Sequence, residues 1–428
     1  MIKFKINTVE LTAQPGTTIL AAAQANGIHI PTLCFLKDAF ADSLCRVCVV
    51  EVVGSNKLMP ACSTPVQEGM EIYTHSEIVV ESREMTLDFI CRHHRMDCDY
   101  CSRASNCELH ALLREHGMDD RIYSSVYHEK DKDVSSPAIV RDHSKCVRCR
   151  RCEQICAKQE IFAVGALNRA AETRIGSLVP MPESGCIGCG QCLAACPTGA
   201  LSIKDENKAL RMAMNQKKHV LAALWETEPE VAGKLVSILH SMGIEKVFAA
   251  DGFKALAAKE IAEQVAGGKT GISPLCPAAA KVSSREILGR HPEAVFDAWC
   301  KKTYAEKNGL TADDIYTVWI SPCTALKASH QCDLAMTEIE LGEAIRRACV
   351  SRYTMLQVWK DAPVAEFDPS VDADGFSGEE LGVLIENDTV ICAQGVPVIR
   401  AQDETEFAFA DFFACPGGCR SGGGRYRK

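Results

Sequence analysis

CVRCRRCEQIC at residues 146–156 and CIGCGQCLAACP at residues 186–197 decide how this chain is interpreted. Both stretches have the spacing C-x2-C-x2-C-x3-C, so this part of the chain is an internal repeat. The whole chain has 24 cysteines in 428 residues, far more than an ordinary enzyme uses. Disulfide frameworks belong mostly to short secreted chains, whereas repeated C-x2-C runs are typical of metal-binding thiolates. The spacing therefore predicts metal ligands.

The repeated run is the signature of the bacterial two-cluster ferredoxins, which hold two [4Fe–4S] clusters. In that arrangement the last cysteine of each run binds the other cluster. We therefore predict one cluster at Cys146, Cys149, Cys152 and Cys196, and the other at Cys156, Cys186, Cys189 and Cys192. Ala157 stands where a proline commonly follows the run, a departure that leaves the thiolates in place.

The first ~78 residues are predicted to form a small β-rich domain. Apolar Ile2, Phe4 and Ile6 alternate with polar residues, as in a half-buried strand, and another strand is predicted over 9–11. A helix is expected over 19–25, with Thr17 or Thr18 as its N-terminal cap, and a further strand follows the cysteine-rich loop. The domain has four cysteines with the spacing C-x10-C-x2-C-x13-C, namely Cys34, Cys45, Cys48 and Cys62. Three ligands near one loop and a fourth from elsewhere are what a [2Fe–2S] site needs, although the first loop is longer than in plant-type ferredoxins.

The next segment is predicted to be helical around residues 82–91, and it contains three further cysteines and two candidate histidines. The predicted ligands of a third [4Fe–4S] cluster are His94, Cys98, Cys101 and Cys107. A [4Fe–4S] cluster needs four ligands, so a histidine is expected to complete the set. Two alternatives remain: His94 is a surface histidine with no ligand role, or His93 is the ligand. Cys91 lies outside this spacing and is expected to be an ordinary buried thiol.

From residue ~220 onward, short apolar runs alternate with amphipathic helices, which indicates an α/β domain. Its cysteines are scattered, and a buried structural thiol is the default interpretation for each. Cys300, Cys332, Cys349 and Cys392 stay in that class. The residues that flank four others suggest a different role, and these four are Cys276, Cys323, Cys415 and Cys419.

ACPGGCRSGGG at 414–424 closely resembles the third signature of the [FeFe]-hydrogenase catalytic domain. PCTA at 322–325 and the Cys-Pro at 276–277 resemble the second and first signatures, and CDLAMTEIEL at 332–341 resembles a threonine-bearing stretch of the same family. The first two segments also resemble the heads of [FeFe]-hydrogenases and the large peripheral-arm subunit of respiratory complex I. The resemblance implies that the four C-terminal cysteines hold one more [4Fe–4S] cluster.

The resemblance also implies an α+β multidomain fold built from four parts. These are a [2Fe–2S] ferredoxin-like β-grasp domain (1–78), a His/Cys3 [4Fe–4S] segment (79–118), a two-[4Fe–4S] ferredoxin domain (139–206) and a truncated α/β hydrogenase-like domain (215–428). The expected cofactors are one [2Fe–2S] and four [4Fe–4S] clusters. Five further cysteines have no assigned ligand role.

In the family, the last cysteine bridges to a diiron unit that carries cyanide and carbon monoxide. Five positions of that diiron pocket differ in this chain: Leu275, Ser321, Leu326, Ser329 and Phe413. By resemblance, Leu275 replaces the proton-transfer cysteine, and Leu326 replaces the lysine that hydrogen-bonds a cyanide ligand. Leucine has no exchangeable proton and no donor, and an anionic ligand without a partner in an apolar pocket costs about 1–3 kcal/mol. A cubane needs only its thiolates, so we expect a cluster and no hydrogen chemistry.

Composition excludes several function classes. The formal net charge is −9, which argues against nucleic acid as the main partner. Neither a membrane span nor the apolar core of a signal peptide is evident, so a cytoplasmic location is expected. Neither a G-x-G-x-x-G after a strand nor a P-loop is present, and Gly422–Gly424 are better explained by close backbone approach beside a cluster.

A chain with five clusters and no substrate pocket must exchange electrons with partners. The resemblance implies a relay subunit of an NAD(P)-linked, electron-bifurcating oxidoreductase of the transhydrogenase or formate dehydrogenase type. The implied partners are an NADH-binding flavoprotein with FMN and Fe–S groups and a small [2Fe–2S] subunit. Ferredoxin and a formate dehydrogenase or NADP-reducing subunit are further candidates. A divergent hydrogenase and a redox sensor are the alternatives.

Overall fold

The computed structural model describes residues 1–37, 39, 43–101, 103–118, 132–216, 218–225, 229–348, 390–394, 397, 399–400, 409–413 and 415. Over these ranges the chain is a multidomain mixed α/β protein whose strands form several separate sheets. No helix in the described ranges combines the length and apolar character that crossing a bilayer requires.

The N-terminal sheet has the strand order β2-β1-β5-β3-β4, with β1 parallel to β5 and the other pairs antiparallel. Its elements are β1 (Ile2–Ile6), β2 (Val9–Ala13), α1 (Ile19–Ala25), β3 (Val49–Val52), β4 (Met59–Pro60) and β5 (Glu71–Tyr73). The predicted alternation in β1 is confirmed, because Phe4 and Ile6 are buried while Lys3 and Lys5 are exposed. The predicted helix is also confirmed, and Thr18 caps it by accepting a bond from the Ala21 amide.

Two helices follow, α2 (Glu77–Arg92) and α3 (Glu108–Glu115). Helix α2 begins earlier than the predicted 82–91, since Ser76 occupies its N-cap and apolar positions recur from Val79 onward. Residues at a spacing of four form its buried face, and they are Val79, Arg83, Leu87 and Cys91. This face packs onto the cysteine-rich loop of the N-terminal domain.

The repeat segment is built on a small antiparallel sheet of order β10-β7-β6, with two short helices and a hairpin attached. Its elements are β6 (Lys132–Asp133), β7 (Ile139–Asp142), α4 (Arg151–Lys158), β8 (Gly165–Leu167), β9 (Arg174–Gly176), α5 (Gln191–Ala195) and β10 (Leu201–Ile203). Each cysteine run leads into one of the two helices, and the hairpin of β8 and β9 lies between the runs.

The C-terminal part contains a parallel sheet of order β12-β11-β14-β15, as the alternating pattern predicted. Central strand β11 is apolar on both faces, because Leu221 packs into one hydrophobic core and Val220 into another. The elements are α6 (Asn207–Asn215), β11 (His219–Leu224), α7 (Pro229–Ser241), β12 (Lys246–Ala249), α8 (Ala250–Ala266), β13 (Gly271–Ile272), α9 (Pro277–Ala280), α10 (Pro292–Trp299), α11 (Ala305–Asn308), β14 (Ile315–Ser321), β15 (Leu334–Thr337), α12 (Glu338–Ala348), β16 (Val390–Gln394) and β17 (Phe409–Phe413).

A second parallel sheet of order β13-β17-β16 explains how distant cysteines meet. Cys276 follows the end of β13, and Cys415 follows the end of the neighbouring strand β17. Cys323 likewise comes just after β14. Because the carboxyl ends of parallel strands lie at one edge of a sheet, β13 and β17 bring Cys276 and Cys415 to a common edge. Cys323 follows a strand of the first parallel sheet and packs with Cys276 in one hydrophobic core.

Candidate metal centres

The four N-terminal cysteines form two hydrogen-bonded pairs, Cys34 with Cys45 and Cys48 with Cys62. Cys45 accepts a hydrogen bond from Cys34, and Cys62 accepts one from Cys48. These bonds stabilise the thiolate form and lower the pKa of Cys45 and the pKa of Cys62 to about 6. The pKa of Cys34 and the pKa of Cys48 rise, because each donates to its partner and is buried. Ser43 Oγ lies 3.5 Å from Cys62 Sγ and adds a polar neighbour. Since iron binds the thiolate, this donor set suits a [2Fe–2S] group.

The three cysteines of the second segment are also neighbours. Burial raises the pKa of Cys98 and that of Cys107, and the charge of Cys101 raises both further. The segment packs closely on the repeat: a Cβ added at Gly199 would lie 2.6 Å from Cys101 Sγ. Arg103 Nη2 donates to the Cys196 carbonyl at 2.9 Å.

His94 and His93 have different surroundings. His94 is 7% exposed, and its Nδ1 has no hydrogen-bond partner in the part of the chain that the structure describes. Burial and the nearby Lys145 charge lower the pKa of His94 to about 4, so the ring is neutral, and it is hydrogen-bonded to the Lys145 backbone. A histidine that ligates a metal usually has its second ring nitrogen held in this way. His93 is only half-buried, and its Nδ1 lies 3.0 Å from the Phe89 carbonyl. This geometry favours His94 as the ligand.

We expect His94→Cys to keep its cluster and to lower the cluster's reduction potential. Thiolate in place of a neutral imidazole adds a negative charge, which disfavours the reduced state. At a fixed potential, the reduced-to-oxidised ratio of one [4Fe–4S] signal should fall about tenfold, or 59 mV for a one-electron couple. A redox titration followed by electron paramagnetic resonance measures this ratio. His93→Cys is the control, and a shift in that variant alone would make His93 the ligand.

The crossed ligand assignment of the two cysteine runs stays a prediction, and the electrostatic neighbours of these cysteines are compatible with it. Cys146, Cys149 and Cys152 interact electrostatically with Cys196 from the second run. Cys156 from the first run interacts with Cys186 and Cys189. One cavity is lined by all four thiols of the second predicted cluster, which are Cys156, Cys186, Cys189 and Cys192. A cavity lined by four partly buried thiols fits a [4Fe–4S] group.

The backbone around the two runs repeats as well. Arg148 and Arg150 have φ values of 55° and 60°, and the matching Gly188 and Gly190 have 76° and 71°. A left-handed conformation costs a non-glycine residue about 1–2 kcal/mol. This conformation turns backbone N–H groups toward the sulfurs. The Arg148 N–H lowers the pKa of Cys146 and the Arg151 N–H lowers the pKa of Cys149, but burial raises both by more. Burial prevails and leaves the pKa of Cys146 at about 11.

Arg141 is a buried cation between the two runs that the sequence analysis missed. It lies in β7 with 5% exposure, and its Nη1 donates to Cys152 Sγ at 3.5 Å. Burial acts against the charged guanidinium, but the thiolate charges of Cys152 and Cys192 outweigh it and raise the pKa of Arg141. Burying a cation is costly unless an anion lies nearby. An arginine shortly before the first cysteine run was the available signal.

We expect Arg141→Gln to retain both clusters and lower the potential of the one bound by Cys152. One-electron reduction adds a negative charge beside the guanidinium, so removing the cation disfavours reduction. The reduced-to-oxidised ratio of that signal at fixed potential should fall about tenfold, which is 59 mV. The exposed Arg169, on the hairpin of the same segment, provides the control Arg169→Gln. Equal potentials in the two variants, with full iron content, would contradict the expectation.

The C-terminal cysteines lie against the second run of the repeat. Cys276 and Cys323 belong to one hydrophobic core together with Cys189 and Ile187. Cys276 Sγ accepts a hydrogen bond from the Ala279 amide at 3.4 Å, and Cys415 Sγ lies 3.7 Å from the Cys189 carbonyl. The predicted fourth ligand, Cys419, lies outside the described residues, as do Cys349, Gly422–Gly424 and the side chains of Cys392 and Phe413. Cys300 and Cys332 are buried, in agreement with their assignment as structural thiols, and so is Cys91.

The altered pocket positions make ordinary protein contacts. Leu326 is 3% exposed and packs in the hydrophobic core that also contains Leu221 and Trp319. Ser321 Oγ accepts a bond from the Cys323 amide at 3.3 Å, and Ser329 Oγ donates to the Ala325 carbonyl at 3.3 Å. Leu275 is half-buried. None of these four side chains carries a charge.

Lys327, beside Leu326, is fully buried and was also missed by the sequence analysis. Its Nζ binds Glu206 Oε2 at 2.6 Å and Glu340 Oε1 at 2.7 Å. Burial raises the pKa of Glu340, while Lys327 and the Thr337 amide act to lower it. This ion pair joins the end of the repeat segment to the C-terminal sheet.

Comparison with known protein families finds four matches along the chain. Residues 1–77 match the 2Fe-2S iron-sulfur cluster binding domain, and residues 83–121 match the NADH-ubiquinone oxidoreductase-G iron-sulfur binding region. Residues 182–202 match the 4Fe-4S binding domain, and residues 218–372 match the iron only hydrogenase large subunit, C-terminal domain. The chain therefore contains 2Fe-2S and 4Fe-4S binding domains.

Over 415 residues the chain is 30% identical to iron hydrogenase 1 of Clostridium pasteurianum, an alignment that covers 88% of this chain and 71% of that protein. The chain belongs to the iron-only hydrogenase family. Within this family it resembles the NADP-reducing hydrogenase subunit HndD of Solidesulfovibrio fructosivorans, with 29% identity over 88% of this chain and 74% of that one. The match to the NADH-ubiquinone oxidoreductase 75 kDa subunit of Reclinomonas americana has 28% identity over 48% of this chain but only 30% of that protein.

Proposed function

We propose that this iron-only hydrogenase family member is an electron-relay subunit without hydrogenase activity. Its complex would be an NAD(P)-linked, electron-bifurcating oxidoreductase of the transhydrogenase or formate dehydrogenase type. The observation that carries the proposal is the series of contacts between neighbouring candidate sites. The series ends beside Leu275 and Leu326, which by resemblance replace a proton-transfer cysteine and a cyanide-binding lysine.

The series begins in the N-terminal domain, where Cys45 and Cys107 pack in one hydrophobic core. It continues from Cys101 to the repeat through Gly199, and from the first to the second cluster through the Cys152–Cys192 pair beside Arg141. Clusters held by thiolates supply one-electron transfer when bound. The role of the protein is to hold them close together in dry surroundings.

The last contact joins the repeat to the C-terminal site. Thr324 Oγ1, next to Cys323, donates to the Gly188 carbonyl at 2.7 Å, and Gly188 lies between Cys186 and Cys189. A Cβ added at Gly188 would lie 3.4 Å from Ala325 Cα, so the two backbones are in close contact. This packing supports a fifth cluster, the fourth of the [4Fe–4S] type, at Cys276, Cys323, Cys415 and Cys419, as the end of the relay.

The names of the relatives support a place in a multi-subunit NAD(P)-linked complex. One relative is a subunit of an NADP-reducing hydrogenase and another is a subunit of an NADH-ubiquinone oxidoreductase. We therefore propose an NADH-binding flavoprotein and a small [2Fe–2S] subunit as neighbours in the complex. Mass spectrometry of the untagged proteins that copurify with the full chain tests this part. Recovery of the chain alone from its native source would oppose it.

We expect fully reconstituted protein to contain ~18 irons per chain, from one [2Fe–2S] and four [4Fe–4S] clusters. Iron and acid-labile sulfide analysis, normalised to quantitative amino-acid analysis, measures this number. Cys149→Ala and Cys323→Ala should each remove one cluster, or about four irons. A value near 10 in the unmodified protein would mean that two of the predicted [4Fe–4S] sites are wrong.

A further inference from the structure

The outer face of helix α2 carries three large apolar side chains in a line. Ile78, Met85 and Phe89 are 54%, 56% and 60% exposed. Met85 and Phe89 follow Ile78 by seven and eleven residues. Both spacings are close to whole numbers of helical turns, so the three side chains lie on one side of the helix. Single exposed apolar residues are common, but an aligned series is characteristic of a contact surface. We call these three residues the α2 stripe.

An acidic edge runs beside the α2 stripe. Glu77 and Glu81 are exposed and lie about 60–100° around the helix from the stripe, both on the same side. Asp88 lies on that side too, where its carboxylate is paired with Arg92 at 2.6 Å. The side that carries Ser82 and Thr86 has no acidic residue. The surface is therefore apolar in the middle and negative along one edge.

The inner face of the same helix covers the first candidate metal centre. Arg83 Nη2 donates to the Val49 carbonyl at 2.8 Å, one residue after Cys48. Leu87 and Cys91 pack with Val47 and Cys45. A protein that rested on the α2 stripe would be separated from the cysteine-rich loop only by the thickness of one helix, about 10–12 Å.

We propose that the α2 stripe, with Glu77 and Glu81 beside it, is the docking surface for a one-electron redox protein whose contact face has an apolar centre and a basic rim. The proposal rests on the relay function, because it identifies where electrons enter or leave the N-terminal end. Apolar contact supplies affinity, whereas the acidic edge steers a basic partner and sets the orientation. A second copy of this chain would bring the same acidic edge with it and gains no such steering.

Mitochondrial cytochrome c is a suitable probe, because it is a basic one-electron acceptor with an exposed apolar haem edge. The full chain is reduced, and the second-order rate of transfer of one electron to the ferric haem is measured by stopped flow at several ionic strengths. The rate should fall with salt, as expected for opposite charges. Glu77→Gln with Glu81→Gln should lower the low-salt rate about fivefold and flatten the salt dependence.

Met85→Ser with Phe89→Ser should lower the rate about tenfold with the salt dependence unchanged, because the apolar contact is lost and the charges remain. Glu172→Gln with Leu178→Ser is the matched control, since both residues are exposed on the hairpin of the repeat segment. Equal rates in the stripe variants and the control would overturn the proposal. So would faster transfer to an acidic flavodoxin, or self-association that Phe89→Ser abolishes.

Failure of the relay function would look different. It would appear as missing clusters, or as reduced clusters that pass electrons to neither carrier. The docking proposal fails if the clusters are complete, electron transfer is rapid, and the transfer rate is the same with and without the substitutions in the α2 stripe. Iron content is measured in every variant, and all four substituted side chains of the stripe and its edge are exposed, so their replacement leaves the core intact.

Discussion

Lys327→Met should lower the free energy of unfolding of the C-terminal domain by about 3–5 kcal/mol. The substitution leaves Glu340, whose side chain is 2% exposed, without its cation in the interior. It also removes the bond to Glu206 that ties the repeat segment to this domain. All four tryptophans of the chain lie after residue 215, so denaturant unfolding followed by tryptophan fluorescence reports on this domain.

Two further variants separate charge from packing. Lys307→Met changes an exposed lysine of the same domain and should alter the unfolding free energy by less than about 0.5 kcal/mol. Lys327→Met combined with Glu340→Gln should recover part of the loss, because the stranded carboxylate is gone. If the single variants at Lys327 and Lys307 unfold alike, the buried ion pair contributes nothing.

No hydrogen should be evolved or consumed, even when the protein is produced alongside the hydrogenase maturation machinery. Leu275 has no proton to transfer, and Leu326 is packed in the core instead of donating to a cyanide. Infrared spectroscopy of the matured protein measures this directly, because iron-bound carbon monoxide and cyanide absorb where protein does not. We expect those bands to be absent.

The accompanying cluster should survive. Cys323→Ala should remove one [4Fe–4S] signal from the same preparation, while Cys332→Ala, which changes a buried thiol of the same domain, should leave all signals in place. Carbon monoxide and cyanide bands in the matured protein would overturn the relay proposal at its last domain. The chain would then be a divergent hydrogenase.

The sequence predicted what depends on local spacing. Alternation in β1, the cap at Thr18 and the apolar run of β11 each follow from the period of a strand or the needs of a helix end, and the structure confirms them. The crossed grouping of Cys196 with Cys146 came from the ferredoxin signature. The ligand assignments themselves stay predictions, to be decided by the iron counts and variants above.

Contacts between distant segments could not be predicted in this way. Lys327 meets Glu206 across 121 positions of the chain, and nothing in either local pattern marks the pair. Arg141 is buried because it faces sulfurs from both runs, a reason that exists only once the chain is folded. The burial of such residues depends on charged groups that the fold brings close to them. Hydrophobic periodicity describes only local structure, so it cannot predict these contacts.

The left-handed positions of the repeat show how the two halves of a duplicated unit lose their interchangeability. Arg150 has a left-handed backbone, and its side chain pairs with Glu153. At the matching Gly190, any Cβ would collide with the Thr324 side chain of the C-terminal domain. A graft of the first run into the place of the second would therefore push that domain away, whereas the reverse graft would meet no such obstacle. The two halves share the same cysteine spacing, yet only the second has the backbone on which the C-terminal domain can pack.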